Sequence, residues 1–180
     1  MAIYFARHGK SKANEDGVFA GQKEDSPLVE DGKVQAAKAA NELVGKSINK
    51  VISSPLIRAK QTAMIMMDIA GLDDVELELD QRIAEYDMGT LTGTPLHAIT
   101  SHELTSSDGA EDAQDFQDRV LSFLRDHRDE NILVVAHAGV GRVIESAKRG
   151  IDPSEFYSIE PYPNGHIVEL DLDWLDKNEK

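Results

Sequence analysis

Ile132-Leu133-Val134-Val135-Ala136, followed by His137-Ala138-Gly139, is the stretch on which the fold turns. Five consecutive apolar residues between polar neighbours are the strongest buried-strand signal in the chain. Directly after it, Gly139 to Arg149 reads as a helix, with Val140, Val143, Ile144 and Ala147 on one face and Gly150 as its stop. Working outward, the same alternation recurs. Ile3 to Ala6 is a short apolar strand ended by Gly9, and Asp31 to Val44 a helix carrying Val34, Ala37, Leu43 and Val44, with an acidic start and Gly45 behind it. Val51 to Ser53 is a strand, Pro55 opens a helix that runs from Leu56 to Ala70, and Gly71 ends it. Val75 to Leu79 alternates with acids, as an edge strand would. Ala113, Phe116, Val120, Phe123 and Leu124 recur at helical spacing, with Glu111 and Asp112 at the start and Arg125 and Arg128 near the end, as the helix dipole prefers. Asn164-Gly165 is a turn and Ile167 to Leu172 a last strand. Strand and helix in alternation predict an α/β three-layer sandwich, a mainly parallel central sheet flanked by helices. Residues 1–180 read as one domain, with a Thr-, Ser-, Gly- and His-rich surface excursion over Thr90–Asp108 that contains a short helix and forms a short lid insertion.

Composition narrows the function. Lys and Arg total 19 against 33 Asp and Glu, a net charge of −14, which argues against a general nucleic-acid binder or a basic membrane-surface protein. The absence of cysteine removes disulfides, thiolate metal sites, Fe–S clusters and a cysteine nucleophile. No apolar run approaches the roughly 20 residues needed to span a bilayer. The opening Met1–Ala6 has no basic leader, and no Asn-X-Ser/Thr occurs, so a cytoplasmic protein is expected.

Three apparent motifs fail. Gly9-Lys10-Ser11 resembles the tail of a P-loop, but Tyr4 stands where its first glycine belongs. Gly139 and Gly141 lack the third glycine of a dinucleotide fingerprint, Ile144 being there instead. His102-Glu103 has Ser106 where a zinc protease needs histidine. His97, His102, His127 and His166 are expected to be solvated or turn residues.

In open α/β sheets, sites gather beyond the carboxyl ends of strands. Arg7-His8-Gly9 and His137-Ala138-Gly139 both stand there. Alone, Arg7-His8 is as compatible with an idle strand-end pair as with a site. Four other segments fit the same chemistry. They are Ser53–Ala59 with Arg58, Glu85-Tyr86-Asp87-Met88-Gly89, the second histidine segment, and Gly109-Ala110-Glu111 with Arg119. For the last, a helix cap and a surface arginine is the competing explanation. Together these residues suit phosphoryl transfer. A histidine can carry a phosphoryl group covalently. Arg7 and Arg58 can each fork onto phosphate oxygens, His137 when protonated adds a donor, and Glu85 can protonate the leaving alkoxide, with Asp87 the alternative. The arginines and histidines supply the positive field that Mg²⁺ supplies elsewhere, so neither metal nor cofactor is called for. Lys10, Lys12 and Lys23 lie near the first motif and would add to a cationic cleft within an acidic shell.

The combination resembles the histidine phosphatase superfamily, the phosphoglycerate mutase-like proteins, over most of the chain. Arg7-His8-Gly9 with Asn14 six residues after the histidine, the unbroken Ser-Ser-Pro-Leu-x-Arg-Ala-x-Gln-Thr-Ala run from Ser53 to Ala63, Glu85 with Gly89, Glu111 with Arg119, and His137-Ala138-Gly139 carry the resemblance. Lys10 replaces an acid or glutamine often found there, Gln22 a tryptophan common in mutases, and Asp112 the usual serine. The resemblance implies His8 as the phosphorylated nucleophile, Arg7, Arg58 and His137 as the phosphate pocket, Glu85 as proton donor, and Asn14, Gly21 and Ala138 as substrate contacts. Within that family, mutases have longer insertions before the second histidine. Here Glu85 and His137 are 137 − 85 = 52 positions apart, so the lid is short. A mutase must keep water from phosphohistidine, and a short polar lid suits hydrolysis better. The expected activity is therefore a metal-independent phosphomonoesterase acting on a small phosphorylated metabolite. Mutase-type phosphoryl transfer and a non-catalytic phosphate or phosphoprotein binder are the alternatives. Oligomeric state and the alcohol half of the substrate are not legible.

Overall fold

The computed structural model describes residues 1–99 and 101–175; Thr100, residues 176–180 and the side chains of Ser101 and His102 lie outside the described residues, and with them the expectation for His102. In chain order the elements are β1 (Ala2–Arg7), α1 (Lys12–Asp16), α2 (Glu30–Ala40), β2 (Lys50–Ser53), α3 (Ile57–Ala70), β3 (Leu77–Leu79), α4 (Ser101–Thr105), α5 (Ala113–His127), β4 (Asn131–Ala136), α6 (Ala138–Lys148) and β5 (Ile167–Leu170). Short 3₁₀ turns fill several connections.

The five strands form one sheet in the order β3-β2-β4-β1-β5. β1, β2, β3 and β4 run parallel, and β5 closes one edge antiparallel to β1. β4 lies at the centre, so its all-apolar sequence has a cause: both faces are covered. Ile132, Val134 and Ala136 join Ile3, Phe5 and Ile52 in a core with Phe116, Val120 and Phe123 of α5 and Val140, Val143 and Ile144 of α6. Leu133 and Val135 point the other way, with Ala6 and Val51, toward α2 and α3. That is the three-layer α/β sandwich the sequence predicts.

The helix read over Asp31–Val44 is corrected in part: α2 ends at Ala40 and a 3₁₀ turn, Asn41–Leu43, follows it. Leu43 is buried as its place in the pattern suggests, but Val34 and Val44 are 60% and 59% exposed, and the buried residues of α2 itself are Gly32, Ala36, Ala39 and Ala40. Small side chains let α2 approach Ala59 and Ala63 of α3 closely, so the core face consists of alanines rather than valines. α3 ends as read: Gly71 takes the left-handed conformation (φ 68°).

The register of the central strands places the site. Arg7 pairs with Ala136 and Ser53 with Val135, so His8, Ser54 and His137 leave adjacent parallel strands side by side. His8 N–H donates to the Ala136 carbonyl (3.0 Å) and Ser54 N–H to that of Val135 (3.0 Å), extending the ladders by one residue. Above this end, residues 90–108 form a looped excursion whose ends are joined by Thr90 N–H donating to Asp108 C=O (3.0 Å). The excursion is zipped to the segment after α1: Phe19 N–H donates to Thr94, Gly93 N–H to Phe19, and Leu96 N–H to Gly17. Among the described residues no helix is long and apolar enough to cross a membrane.

Candidate functional site

Seven of the eight predicted residues line one cleft of about 180 Å³: Arg7, His8, Asn14, Gly21, Arg58, Glu85 and Ala138. The eighth, His137, is fully buried next to the cleft residue His8, edge-on to it with ring centroids 5.2 Å apart. His8 Nδ1 sits 2.7 Å from the Gly9 carbonyl oxygen. A carbonyl only accepts, so Nδ1 carries the hydrogen and the free lone pair belongs to Nε2. Burial, then the nearby Arg58 and Arg7 charges, push the His8 imidazolium well below its usual range, so His8 is neutral at neutral pH. Burial, followed by Arg58, His8 and Arg7, does the same to His137. His137 Nε2 pairs with Ser54 Oγ at 2.7 Å, and its Nδ1 is buried without a hydrogen-bond partner. The sequence reading lets His137 add a donor when protonated; here burial first, and then the Arg58 charge, disfavour that form.

Arg58 belongs to the first turn of α3 and is 1% exposed, against the simple expectation for an arginine at a helix start. Its Nη2 donates to the Gly21 carbonyl (2.8 Å) and its Nη1 to that of Glu24 (3.1 Å). The Gly21 carbonyl is thus engaged by Arg58. Arg7 Nη1 donates to the Tyr162 carbonyl (2.6 Å). The Nε of each arginine is buried with no partner. Burial lowers both guanidinium groups, Arg7 to about 10, partly offset by the Glu85 charge, and Arg7 stays protonated at neutral pH. One buried and one partly buried guanidinium group, each with an unanswered Nε–H, form a field that an oxyanion completes.

Glu85 is 7% exposed and reaches α6: its Oε1 accepts from Gly139 N–H (3.1 Å) and from Tyr86 N–H (2.9 Å). The approach explains Gly139, since a Cβ there would lie 2.2 Å from Glu85 Oε1. The loop is clamped from beneath by Arg119, which is 19% exposed rather than a surface arginine. Arg119 binds both carboxylate oxygens of Glu111 (2.6 and 2.9 Å) and donates to the carbonyls of Arg82, Ala84 and Glu85. Asp112, not Glu111, caps α5. Asp87 does not line the cleft; it lies 3.3 Å from Lys23 Nζ and accepts from Gly89 N–H, so the carboxylate that faces this site is that of Glu85.

Asn14 Oδ1 accepts from Ser11 N–H (3.1 Å) and Asn164 Nδ2 (3.2 Å), which leaves its own amide hydrogens for the cleft. The lysines expected beside the cleft are elsewhere: Lys12 pairs with Glu15 and Asp16, Lys23 with Asp87, and Lys10 does not line it. For Lys12 and Lys23, nearby acids hold the ammonium groups away from the cleft. Arg142 and Tyr157 line the cleft, and the sequence reading missed both. Arg142 follows Gly139 by three residues and Ala138 by four, a helical spacing that could have placed it; Tyr157, in the 3₁₀ turn Pro153–Ser158, gives no periodic signal. Of the other histidines, His97 and His166 are exposed, whereas His127 packs on the Phe123 ring at 4.7 Å.

Residues 3–175 match the histidine phosphatase superfamily (branch 1). The chain belongs to this superfamily. A Hydrogenobacter thermophilus relative named "Putative phosphoserine phosphatase 2" is 30% identical over 95% of this chain and 89% of its own length. A protein of Enterobacter sp. (strain 638) named "Probable phosphoglycerate mutase GpmB" is 36% identical over 57% of this chain, and that match spans 46% of the relative. The solved structure of Bacillus stearothermophilus YhfR shares the fold at TM-score 0.82, with 23% identity over 96% of this chain and 91% of that one.

Buried as they are, His8 and His137 add a pH dependence to folding stability. Their folded-state protonation is pushed below the ordinary value near 6.5, so above that pH both states are neutral there and stability is flat. Below it the unfolded chain binds protons that the folded site refuses, and stability falls with pH, each histidine adding a limiting slope of about 1.4 kcal/mol per pH unit. Urea unfolding between pH 7.5 and 5.5 should show this loss, and His8→Asn with His137→Gln should flatten it. An equal slope in the double variant would refute the account.

Proposed function

We propose that this histidine phosphatase is a phosphomonoesterase that works through a phosphohistidine on His8. The observation that carries the reading is the hydrogen bond from His8 Nδ1 to the Gly9 carbonyl: it leaves Nε2 as a buried, neutral nucleophile in a cleft with two incompletely bonded guanidinium groups. Arg7 and Arg58 hold the nonbridging oxygens of a phosphate monoester. The Nε2 lone pair attacks phosphorus, a P–N bond forms as the P–O bond to the alcohol breaks, and Glu85 gives its proton to the departing oxygen. Water then enters, Glu85 takes one of its protons, the oxygen attacks the phosphoryl group, and inorganic phosphate leaves with His8 restored. His137, behind His8, offers its unpartnered Nδ1 position to the same oxyanion, and Asn14 its amide hydrogens.

Residues 90–108 act as the short lid over a cleft small enough to suit a small metabolite. Mutase-type transfer is the second reading, favoured by the match to the Enterobacter protein, although the match spans less than half of that relative. A screen of phosphate monoesters should give inorganic phosphate release. Isomerisation of 3-phosphoglycerate without release would establish the mutase instead, and binding without either reaction would establish a phosphate-ligand binder.

A further inference from the structure

Three guanidinium groups, those of Arg7, Arg58 and Arg142, line the cleft with one carboxylate, Glu85. Arg58 also has the Asp25 carboxylate, 3.8 Å from its Nη1. Arg142 is placed differently.

Arg142 is held for a purpose other than salt bridging. It stands one turn into α6, on the face that carries Ala138 and Gly139 into the cleft. Its Nε donates to the Ile159 carbonyl (2.8 Å), and its guanidinium lies 4.7 Å from the Tyr157 ring centroid. These contacts fix one edge of the fork. Among the described residues its terminal nitrogens make no hydrogen bond, and no carboxylate lies within ion-pair distance. A partly buried guanidinium without a counter-ion is costly to keep, and burial lowers Arg142 accordingly. Tyr157 is 8% exposed, with its ring packed on Phe156 (centroids 4.4 Å) and on Tyr86 (6.2 Å). Its hydroxyl has no partner among the described residues. Burial pushes that phenol well above its usual range, so it remains a neutral donor.

Resting on the phosphatase reading above, we propose that Arg142 and the Tyr157 hydroxyl form a second anion site, which selects phosphate monoesters whose alcohol half carries a carboxylate. The guanidinium fork matches the two oxygens of a carboxylate, and the phenol adds a third donor. A cleft of about 180 Å³ has space beside the phosphate for a short carbon chain. The apolar walls, Val18, Phe19, Met88 and Leu96, suit such a chain.

The test compares 2-phosphoglycolate and O-phosphoserine with ethyl phosphate, and uses p-nitrophenyl phosphate as a common reference. The wild-type protein should prefer the carboxylate-bearing esters. In Arg142→Gln the ratio of kcat/KM for 2-phosphoglycolate over ethyl phosphate should fall on the order of 10- to 100-fold, carried mainly by KM. Tyr157→Phe, which removes one oxygen and keeps the packing, should lower the same ratio several-fold, and it carries the test alone if Arg142→Gln melts early. Equal losses on all esters would place Arg142 in the phosphate pocket and overturn the second site, as would an unchanged ratio in Tyr157→Phe and Arg142→Gln together. Turnover of p-nitrophenyl phosphate with no such selectivity sinks only this proposal; no phosphate release from any ester sinks the phosphatase reading with it.

Discussion

Replacing His8 should remove turnover, lowering kcat/KM for phosphate monoesters by about 10⁴-fold or more. The size follows from what is lost. Without the imidazole no covalent phosphoenzyme forms, and the residual reaction is direct attack by water in a pocket shaped for a different trajectory. His8→Asn is the informative variant, because its side-chain amide can still donate to the Gly9 carbonyl that orients His8. Arg7 and Arg58 keep their anchors on Tyr162, Gly21 and Glu24, so inorganic phosphate should bind within several-fold of wild type while catalysis disappears. Rapid quench with labelled ester should trap a phosphoenzyme in the wild-type protein that is labile in acid and stable in alkali, as a phosphoramidate is. The His8 variants should show none. A residual rate within about tenfold of wild type, or an acid-stable adduct in the variant, would remove His8 from the role of nucleophile.

How much of this site the sequence discloses depends on the kind of signal each residue leaves. β4, His137 and α6 are readable because a strand covered on both faces must be apolar throughout, and the helix after it must show a 3.6-residue stripe. The pairing of His8 with His137 follows from placing both at strand ends, and the sheet register then brings them together. α2 misleads because hydrophobicity is taken as the mark of the core face, whereas close helix approach selects alanine, leaving Val34 and Val44 outside. The full burial of His137 is a matter of depth, which strand periodicity does not encode. Arg142 and Arg119 are polar residues on otherwise conventional amphipathic helices. The spacing of Arg142 from Ala138 and Gly139, and of Arg119 from Glu111, marks both positions, but only the meeting of α5 and α6 with the Glu85 loop tells a cleft-facing arginine or a loop clamp from a solvated one. The lysines err in the opposite direction: proximity in sequence suggests a cationic cleft, but Lys12 and Lys23 each have a nearer acid.

Glu85→Gln should separate substrates by their leaving group. The glutamine amide oxygen can accept the Gly139 and Tyr86 N–H bonds that hold the carboxylate, so the loop clamped by Arg119 keeps its shape. What disappears is the proton for the departing oxygen. An alkoxide cannot leave without it, and loss of a positioned general acid should slow the first turnover of ethyl phosphate by about 10²- to 10⁴-fold. p-Nitrophenolate leaves unaided, so its first turnover should stay within about tenfold of wild type. The second half of the cycle then exposes the other role of Glu85. Water must be deprotonated as it attacks the phosphoryl group on His8, so the variant should release a burst of nitrophenol and then slow as phosphoenzyme accumulates. Stopped-flow absorbance on p-nitrophenyl phosphate and quenched phosphate release from ethyl phosphate measure the two arms. Equal first-turnover losses on both esters would exclude Glu85 as the proton donor, because only a group that transfers the proton distinguishes a poor leaving group from a good one. A leaving-group effect without the burst would keep Glu85 as the acid and require a different base for the water, and Tyr157, whose phenol stays protonated in this cleft, could not be that base.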